Sequence, residues 1–275
     1  MKTAQTKICL IIGNPVVHSL SPLMHNAAYE AVGLEEQFVY LASSVPVEQI
    51  QSVVESVKVL GIRGLTCTVP HKIAVMPFLD EIDPIAKKIG AVNSIVNENG
   101  VLKGFNTDWI GAITPFKMRT DLVGKKALVI GAGGAARAVV FGLLKEKAQV
   151  TIINRSVQKA QELAAEFGCS CVDAVSDEFI SRQDIIINTS SVGMHPHEGI
   201  SPISTKGIHT GHIVMDIVYA PFETELLKQA KKIGAIIIHG TEMLLFQGNA
   251  QFELYTGVKA PIGVMEQTLL NALHL

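Results

Sequence analysis

The apolar run Ala127-Leu128-Val129-Ile130 stops at Gly131-Ala132-Gly133-Gly134-Ala135-Ala136, and a helix-like stretch, Ala135 to Lys145, begins there. Strand, glycine turn and helix in immediate succession open a dinucleotide-binding βαβ unit. Glycine lets the backbone close on a pyrophosphate, and the helix N-terminus offers free N–H groups and partial positive charge to it. About 20 residues past such a turn, the next strand ends in Asp or Glu when the ligand is NAD, because a carboxylate holds the ribose 2′-OH. Here that strand, Gln149 to Ile153, ends in Asn154-Arg155-Ser156. A carboxylate would repel a 2′-phosphate, whereas a guanidinium clamps one through paired charge-assisted hydrogen bonds. The pattern predicts NADP(H) rather than NAD(H), with Arg155 as the phosphate ligand. A glycine-rich turn without its flanking strands would carry little, since any helix can start after glycines.

With 275 residues, 48% of them hydrophobic, the chain can bury a sizeable core in one or two domains. Its net charge of −2 lacks the basic excess of a bulk nucleic-acid binder. No apolar run approaches the ~18 residues that span a membrane. The first apolar run, Ile8 to Ile12, is short and stops at Gly13-Asn14-Pro15, so it reads as a strand and not as a signal peptide. Cys9, Cys67, Cys169 and Cys171 show no zinc or redox spacing, and Cys169 and Cys171 are too close for ordinary bridging. Reduced, structural thiols and a cytoplasmic location are expected. His195-Pro196-His197, with His209 and His212 nearby, lacks a further ligand at metal-binding spacing, so a loop and no metal are expected. The expected partner is a small-molecule substrate, with no nucleic acid and no membrane. A single chain and a homodimer are both left open.

Strand-like and helix-like stretches alternate almost throughout, which predicts an α/β protein with largely parallel sheets. The first part reads as strand Lys7–Ile12, helix Pro22–Val32, strand Phe38–Leu41, helix Val47–Leu60, strand Gly64–Thr68 and helical stretches from His71 and over Pro84–Ile89. Glu98-Asn99-Gly100 between two apolar runs signals a hairpin. Asp108 to Met118 reads as a connecting helix, and the nucleotide unit follows from near Lys125. Two domains are expected, with a cleft between them. Residues 1–107 plus 242–275 form an N-terminal α/β substrate-binding and catalytic domain; residues 108–241 form a Rossmann-like NADP-binding domain. The tail, Glu242–Leu254 and Ile262–Leu273, is helical with no further strand, so it should bury its apolar face by packing back on the first domain.

Four polar clusters stand where loops meet apolar strands in the first domain. In Gly13-Asn14-Pro15-Val16-Val17-His18-Ser19-Leu20-Ser21-Pro22, Ser21 before a proline reads as a helix N-cap. Two hydroxyls, Ser19 and Ser21, beside a helix start would also suit a substrate carboxylate. In Thr66-Cys67-Thr68-Val69-Pro70-His71-Lys72 the lysine follows a strand end. A lone lysine is usually a solvated charge, but one at a cleft can pass a proton to a carbonyl oxygen as hydride arrives. Asn93 in Gly90-Ala91-Val92-Asn93-Ser94 reads either as a turn residue or as an amide that donates to and accepts from a sugar-like hydroxyl. Asp108 in Gly104-Phe105-Asn106-Thr107-Asp108 reads either as a cap for a helix starting at Trp109 or as a carboxylate that orients Lys72. Together the clusters imply a polyhydroxylated substrate that carries a carboxylate.

The set GNPVVHSLSP, TVPHK, GAVNS, GFNTD, GAGGAA, NRS and GTEMLLFQ strongly resembles the shikimate dehydrogenase family, from Ile12 to the C-terminal helices. HSLSP and TVPHK are specific to that family and its close relatives; GAGGAA is not. The resemblance implies NADPH-dependent reduction of 3-dehydroshikimate to shikimate in aromatic amino-acid biosynthesis. It implies Ser19 and Ser21 as the carboxylate pair, and Thr68, Asn93, Asp108 and Gln247 as holders of the ring hydroxyls. Lys72 and Asp108 match the catalytic pair. Gly131, Ala132, Gly133, Gly134 and Ala135 match the pyrophosphate turn, and Asn154, Arg155 and Ser156 the adenosine phosphate site. Thr189, Met215, Tyr219, Gly240 and Met243 resemble the wall around nicotinamide and substrate. Two departures stand out: most members read Asn-Val-Thr where this chain has Thr66-Cys67-Thr68, and Ser156 replaces the usual Thr. Alternatives are a quinate/shikimate dehydrogenase that uses NAD, and a non-catalytic NADPH-binding regulator on the same fold. Arg155 without a neighbouring acid speaks against the first, and the presence of both Lys72 and Asp108 against the second.

Overall fold

The computed structural model describes residues 2–274. They fall into two compact units, one running through Thr107 and resuming at Leu245, the other Asp108–Leu244. Among the described residues no helix is long and apolar enough to cross a membrane.

The first unit begins with β1 (Lys7–Gly13), α1 (Ser21–Ala31), β2 (Phe38–Ser44), a 3-10 turn and α2 (Ile50–Val59). It continues through β3 (Gly64–Cys67), α3 (His71–Ala74), β4 (Glu81–Ile82), α4 (Pro84–Ile89), β5 (Ser94–Glu98) and β6 (Val101–Phe105). The sheet order is β2-β1-β3-β5-β6-β4. Strands β1, β2 and β3 run parallel, but β5 is antiparallel to both β3 and β6. The sheet is therefore mixed rather than largely parallel. The β5–β6 pairing has a local cause: Asn99 and Gly100 both take positive φ, 54° and 90°. That is the conformation a two-residue hairpin turn demands, and it sends β6 straight back along β5.

Alternation along the strands sorts the core. Ile12, Leu65, Cys67 and Ile95 face α2 and α4, where they meet Ile50, Val54, Val57 and Ala86. The ring cluster of the same unit is built from α1, β2 and the penultimate helix of the chain: His25 stacks on Tyr40 at 4.3 Å, and Tyr29, Phe252 and Tyr255 surround it. The helix that brings Tyr255 lies so close to β3 that a Cβ on Gly64 would sit 2.7–2.9 Å from the Tyr255 ring. Only a residue without a side chain permits that approach.

The second unit runs α5 (Asp108–Lys117), β7 (Lys126–Ile130), α6 (Gly134–Lys145), β8 (Gln149–Ile153), α7 (Val157–Phe167) and β9 (Ser170–Cys171). It goes on through α8 (Asp177–Ser181), β10 (Ile185–Asn188), β11 (Ile213–Asp216), α9 (Glu225–Ile233) and β12 (Ile236–Ile238). Its sheet, β12-β11-β10-β7-β8-β9, is parallel throughout. Counted from β7, that is the 3-2-1-4-5-6 order of the dinucleotide-binding fold, whose strand order reverses between β7 and β10. Both faces are covered, as parallel sheets require. Ala127, Val129, Ile185 and Ile187 face α6 and α7, while Leu128, Ile130, Ile186 and Val214 face α8 and α9.

Two helices end the chain, α10 (Gly240–Thr256) and α11 (Ile262–Ala272). Helix α11 packs on α1, so the tail does return to the first unit. The four cysteines are free. Burial pushes the Cys9 and Cys67 thiols up to about 11 and about 12, so they pack as small apolar side chains.

Candidate active site

In the first unit the polar clusters gather at the ends of β1, β3 and β5. The Asn14 N–H donates to Val69 O at 2.9 Å, which ties the loop after β1 to the loop after β3. The Thr68 methyl fills the space where a Cβ on Gly13 would go. Ser21 is not an N-cap. The helix already includes it, with Leu20 at the cap position and no side chain capping. The Ser19 N–H donates to Val16 O, so the chain is turning before Ser21 and the helix starts early. The Ser19 hydroxyl accepts from the Ser21 N–H at 3.3 Å, which brings the two serines together at the start of α1. Ser21 is buried and Ser19 half-buried.

Lys72 is half-buried in α3. Its carbonyl accepts from the Val92 N–H at 2.8 Å, and the Asn93 carbonyl accepts from the Cys67 N–H at 2.8 Å. Main-chain bonds thus fix the lysine segment against the segment that carries Asn93. The Asn93 carboxamide is buried and donates to Thr107 Oγ1 at 2.9 Å and to Gln247 Oε1 at 3.3 Å. Thr68, Lys72, Asn93 and Gln247 therefore belong to one connected neighbourhood of the first unit. The departure at Thr66 is internally satisfied: its hydroxyl accepts from Tyr40 OH at 2.6 Å and lies 2.8 Å from Tyr255 OH.

Asp108 opens the second unit. It is the first residue of α5 rather than a cap before Trp109, and its side chain is buried. The glycine turn follows β7 at the switch between β7 and β10. Gly131 sits at φ +123°, where an added Cβ would meet the Thr189 hydroxyl. The Gly131 N–H donates to Ile153 O at 2.8 Å, and Thr189 donates to Ile130 O through both its N–H (2.8 Å) and its hydroxyl (2.7 Å). Gly133 is at the cap position of α6, with no side chain over the first turn and open space where its Cβ would be. An uncapped helix N-terminus behind a glycine-rich turn is the cradle a pyrophosphate needs. Arg155 and Ser156 are exposed just beyond β8, and the Asn154 carboxamide donates to Ser156 O at 3.0 Å, holding that turn. These residues fit a dinucleotide that carries a 2′-phosphate.

The remaining residues of the expected wall divide. Tyr219 is half-buried, and burial raises its phenol. Met215 and Met243 are buried in the same apolar core as Val129 and Ile187, and Gly240 is packed against the Ile217 and Val218 carbonyls.

Sequence reasoning missed a buried network behind Thr189. Asp216, fully buried at the end of β11, accepts from Asn188 Nδ2 (2.9 Å), the Val218 N–H (3.0 Å) and the Thr224 hydroxyl (2.7 Å). The Asn188 carboxamide oxygen accepts from the Ser190 N–H and hydroxyl. Burial pushes the Asp216 carboxyl up to about 6, against the pull of its three donors. The one available signal was an Asp ending a strand of otherwise apolar residues.

The chain is similar to known proteins over its whole length. Residues 11–95 match the shikimate dehydrogenase substrate binding domain, residues 115–199 the shikimate/quinate 5-dehydrogenase domain, and residues 240–270 the shikimate 5′-dehydrogenase C-terminal domain. The shikimate dehydrogenase (NADP(+)) of Methanosphaera stadtmanae is 44% identical over 100% of both chains. A crystal structure of a shikimate dehydrogenase in complex with NADP+ matches with a TM-score of 0.91 at 42% identity, over 99% of this chain and 98% of that one. The Thermus thermophilus shikimate 5-dehydrogenase in complex with NADP(H) and shikimate matches with a TM-score of 0.89 at 36% identity, over 98% and 100% of the two chains.

Proposed function

The chain belongs to the shikimate dehydrogenase family, and on that premise we propose which of its residues interconvert 3-dehydroshikimate and shikimate with NADP(H). The activity is that of an oxidoreductase acting on a CH–OH group, in the shikimate pathway. The unit ending at Thr107 and resuming at Leu245 binds the substrate, and the unit Asp108–Leu244 binds the dinucleotide. When bound, the dinucleotide supplies the hydride to the ketone carbon, or accepts it in the reverse direction.

The chain's own residues do the rest. Ser19 and Ser21, together at the start of α1, hold the substrate carboxylate. Asn93 and Gln247, with Thr68 and Asp108, hold the ring hydroxyls. Lys72 gives the proton to the ketone oxygen on reduction and takes it back on oxidation, with Asp108 as its acidic partner. Such acid–base help is worth about 10²–10⁴-fold. Gly131 to Ala135 receive the pyrophosphate, with Thr189 beneath them, and Asn154, Arg155 and Ser156 take the 2′-phosphate. Tyr219 borders the reacting groups, with Met215, Gly240 and Met243 packed behind.

The observation that carries this reading is the full-length likeness at 44% identity to an NADP(+)-dependent member, in a chain that has both TVPHK and GFNTD. The test follows NADPH absorbance. Oxidation of shikimate by NADP+, exceeding oxidation of shikimate or quinate by NAD+, supports it. Faster turnover of quinate with NAD+ moves the chain to the other branch of the family, and no turnover with any pair makes it a binding protein.

A further inference from the structure

The two ends of the Asn93 carboxamide can be told apart by a neighbour that only donates. The Thr107 N–H lies 2.8 Å from Oδ1, so the oxygen faces it. The Ser94 hydroxyl donates to the same oxygen at 2.8 Å and accepts in turn from Gln251 Nε2 at 2.9 Å. One run of donors goes from the Gln251 amide through the Ser94 hydroxyl to the Asn93 oxygen, which the Thr107 hydroxyl also approaches at 3.3 Å. The run leaves Asn93 through Nδ2 toward Thr107 Oγ1 and Gln247 Oε1.

Every member is buried: Ser94 and Gln251 fully, Asn93, Thr107 and Gln247 nearly so. Gln247 and Gln251 stand four residues apart on α10 and so share a face of that helix. Helix α10 reaches the Asn93 carboxamide twice, directly through Gln247 and at one remove through Gln251 and Ser94. The buried His25 ring beside Gln251 stays neutral, its pKa pushed down to about 3 by desolvation, so no charge competes for the amide. Removing the Ser94 hydroxyl takes one donor from the Asn93 oxygen and the acceptor from Gln251 Nε2 at once.

We propose that Ser94 and Gln251 are positioning residues for substrate binding: they fix which way the Asn93 carboxamide faces where the substrate's ring hydroxyls bind. The inference rests on the reading that Asn93 and Gln247 bind those hydroxyls. Neither residue touches substrate; both act through Asn93.

The test measures steady-state shikimate oxidation by NADP+ with the full chain and its Ser94→Ala, Ser94→Thr, Gln251→Leu and Asn93→Ala variants, and an unfolding midpoint for each. Loss of one buried hydrogen bond predicts a rise in KM for shikimate of about 3- to 10-fold in Ser94→Ala and in Gln251→Leu. KM for NADP+ should stay constant, and Ser94→Thr, which keeps the hydroxyl, should restore KM for shikimate. Gln251→Leu keeps similar volume and carries the same test should Ser94→Thr not fold. An unchanged KM for shikimate in both variants overturns the inference, as does an equal rise in KM for both substrates or a rise that Ser94→Thr leaves in place. If Asn93→Ala raises KM while the other variants do not, this inference fails alone. If Asn93→Ala leaves KM unchanged, the substrate assignment fails and takes the inference with it.

Discussion

Replacing Asp216 by Asn should change how the stability of the dinucleotide unit depends on pH. Asp216 is fully buried, and burial moves its carboxyl from the ordinary 3.8 up to about 6. The folded state therefore keeps this proton at pH values where the unfolded chain has already released it. Its contribution to stability is fully present below 3.8, is lost as pH rises through about 6, and is constant above that. A shift of this size corresponds to about 3 kcal/mol, of which about 2 kcal/mol falls between roughly pH 4.5 and 7.5. In Asp216→Asn the carbonyl can accept from Asn188 and Val218, and the amide can donate to the Thr224 hydroxyl. The network survives without the titration. Urea unfolding at a series of pH values measures the difference, and Trp109, the only tryptophan, reports on the right unit. It lies on α5 with its ring 5.9 Å from Phe141 of α6. The stability gap should move in favour of the Asn variant by about 2 kcal/mol across that pH range. A gap that stays constant with pH would refute the claim that burial outweighs the three donors.

The other expectations concern the site. Lys72→Ala should lower kcat by about 10²–10⁴-fold with little change in KM for shikimate; near-normal turnover would remove the proton-transfer role. Arg155→Ala should weaken NADP+ by about 10- to 100-fold, the loss of charge-assisted bonds, and leave NAD+ kinetics unchanged. Equal loss with both cofactors would remove the phosphate assignment. Gly131→Ala must place a side chain at φ +123° against Thr189, at a cost of about 1–3 kcal/mol. It should lower the thermal midpoint and abolish the stabilisation that NADP+ gives wild type; an unaltered NADP+ shift would mean that the turn is not the cradle.

Much of the fold is legible because long elements carry periodic signals. The run Ala127 to Ile130, the amphipathic α9 and the Asn99-Gly100 turn each announce themselves locally. Strands β4 and β9, two residues each, and α8, five residues, are too short to show any period. The mixed pairing of the first sheet escapes notice for a different reason. The sequence signals the hairpin, but the pairing of β5 with β3 depends on distant residues. Site legibility divides the same way. Motif residues such as Ser19, Lys72 and Gly131 are readable in place. Gln251 is not, because its partner Ser94 lies 157 residues away and no local pattern links the two. The Ser21 cap failed because the preceding residues, from Val16 to Ser19, were already bonded into a turn.

The threonine at position 66 limits the order in which this chain can change. One hydroxyl oxygen serves two phenols, Tyr40 and Tyr255, and the second of these is 189 residues distant and seated on a bare glycine. Exchanging Thr66 for Asn, the residue the resemblance leads one to expect there, would wedge a wider group between two fully buried rings. Position 255 has to change first or in the same step, so a graft of the neighbouring motif from a relative succeeds only when a piece of the last long helix travels with it.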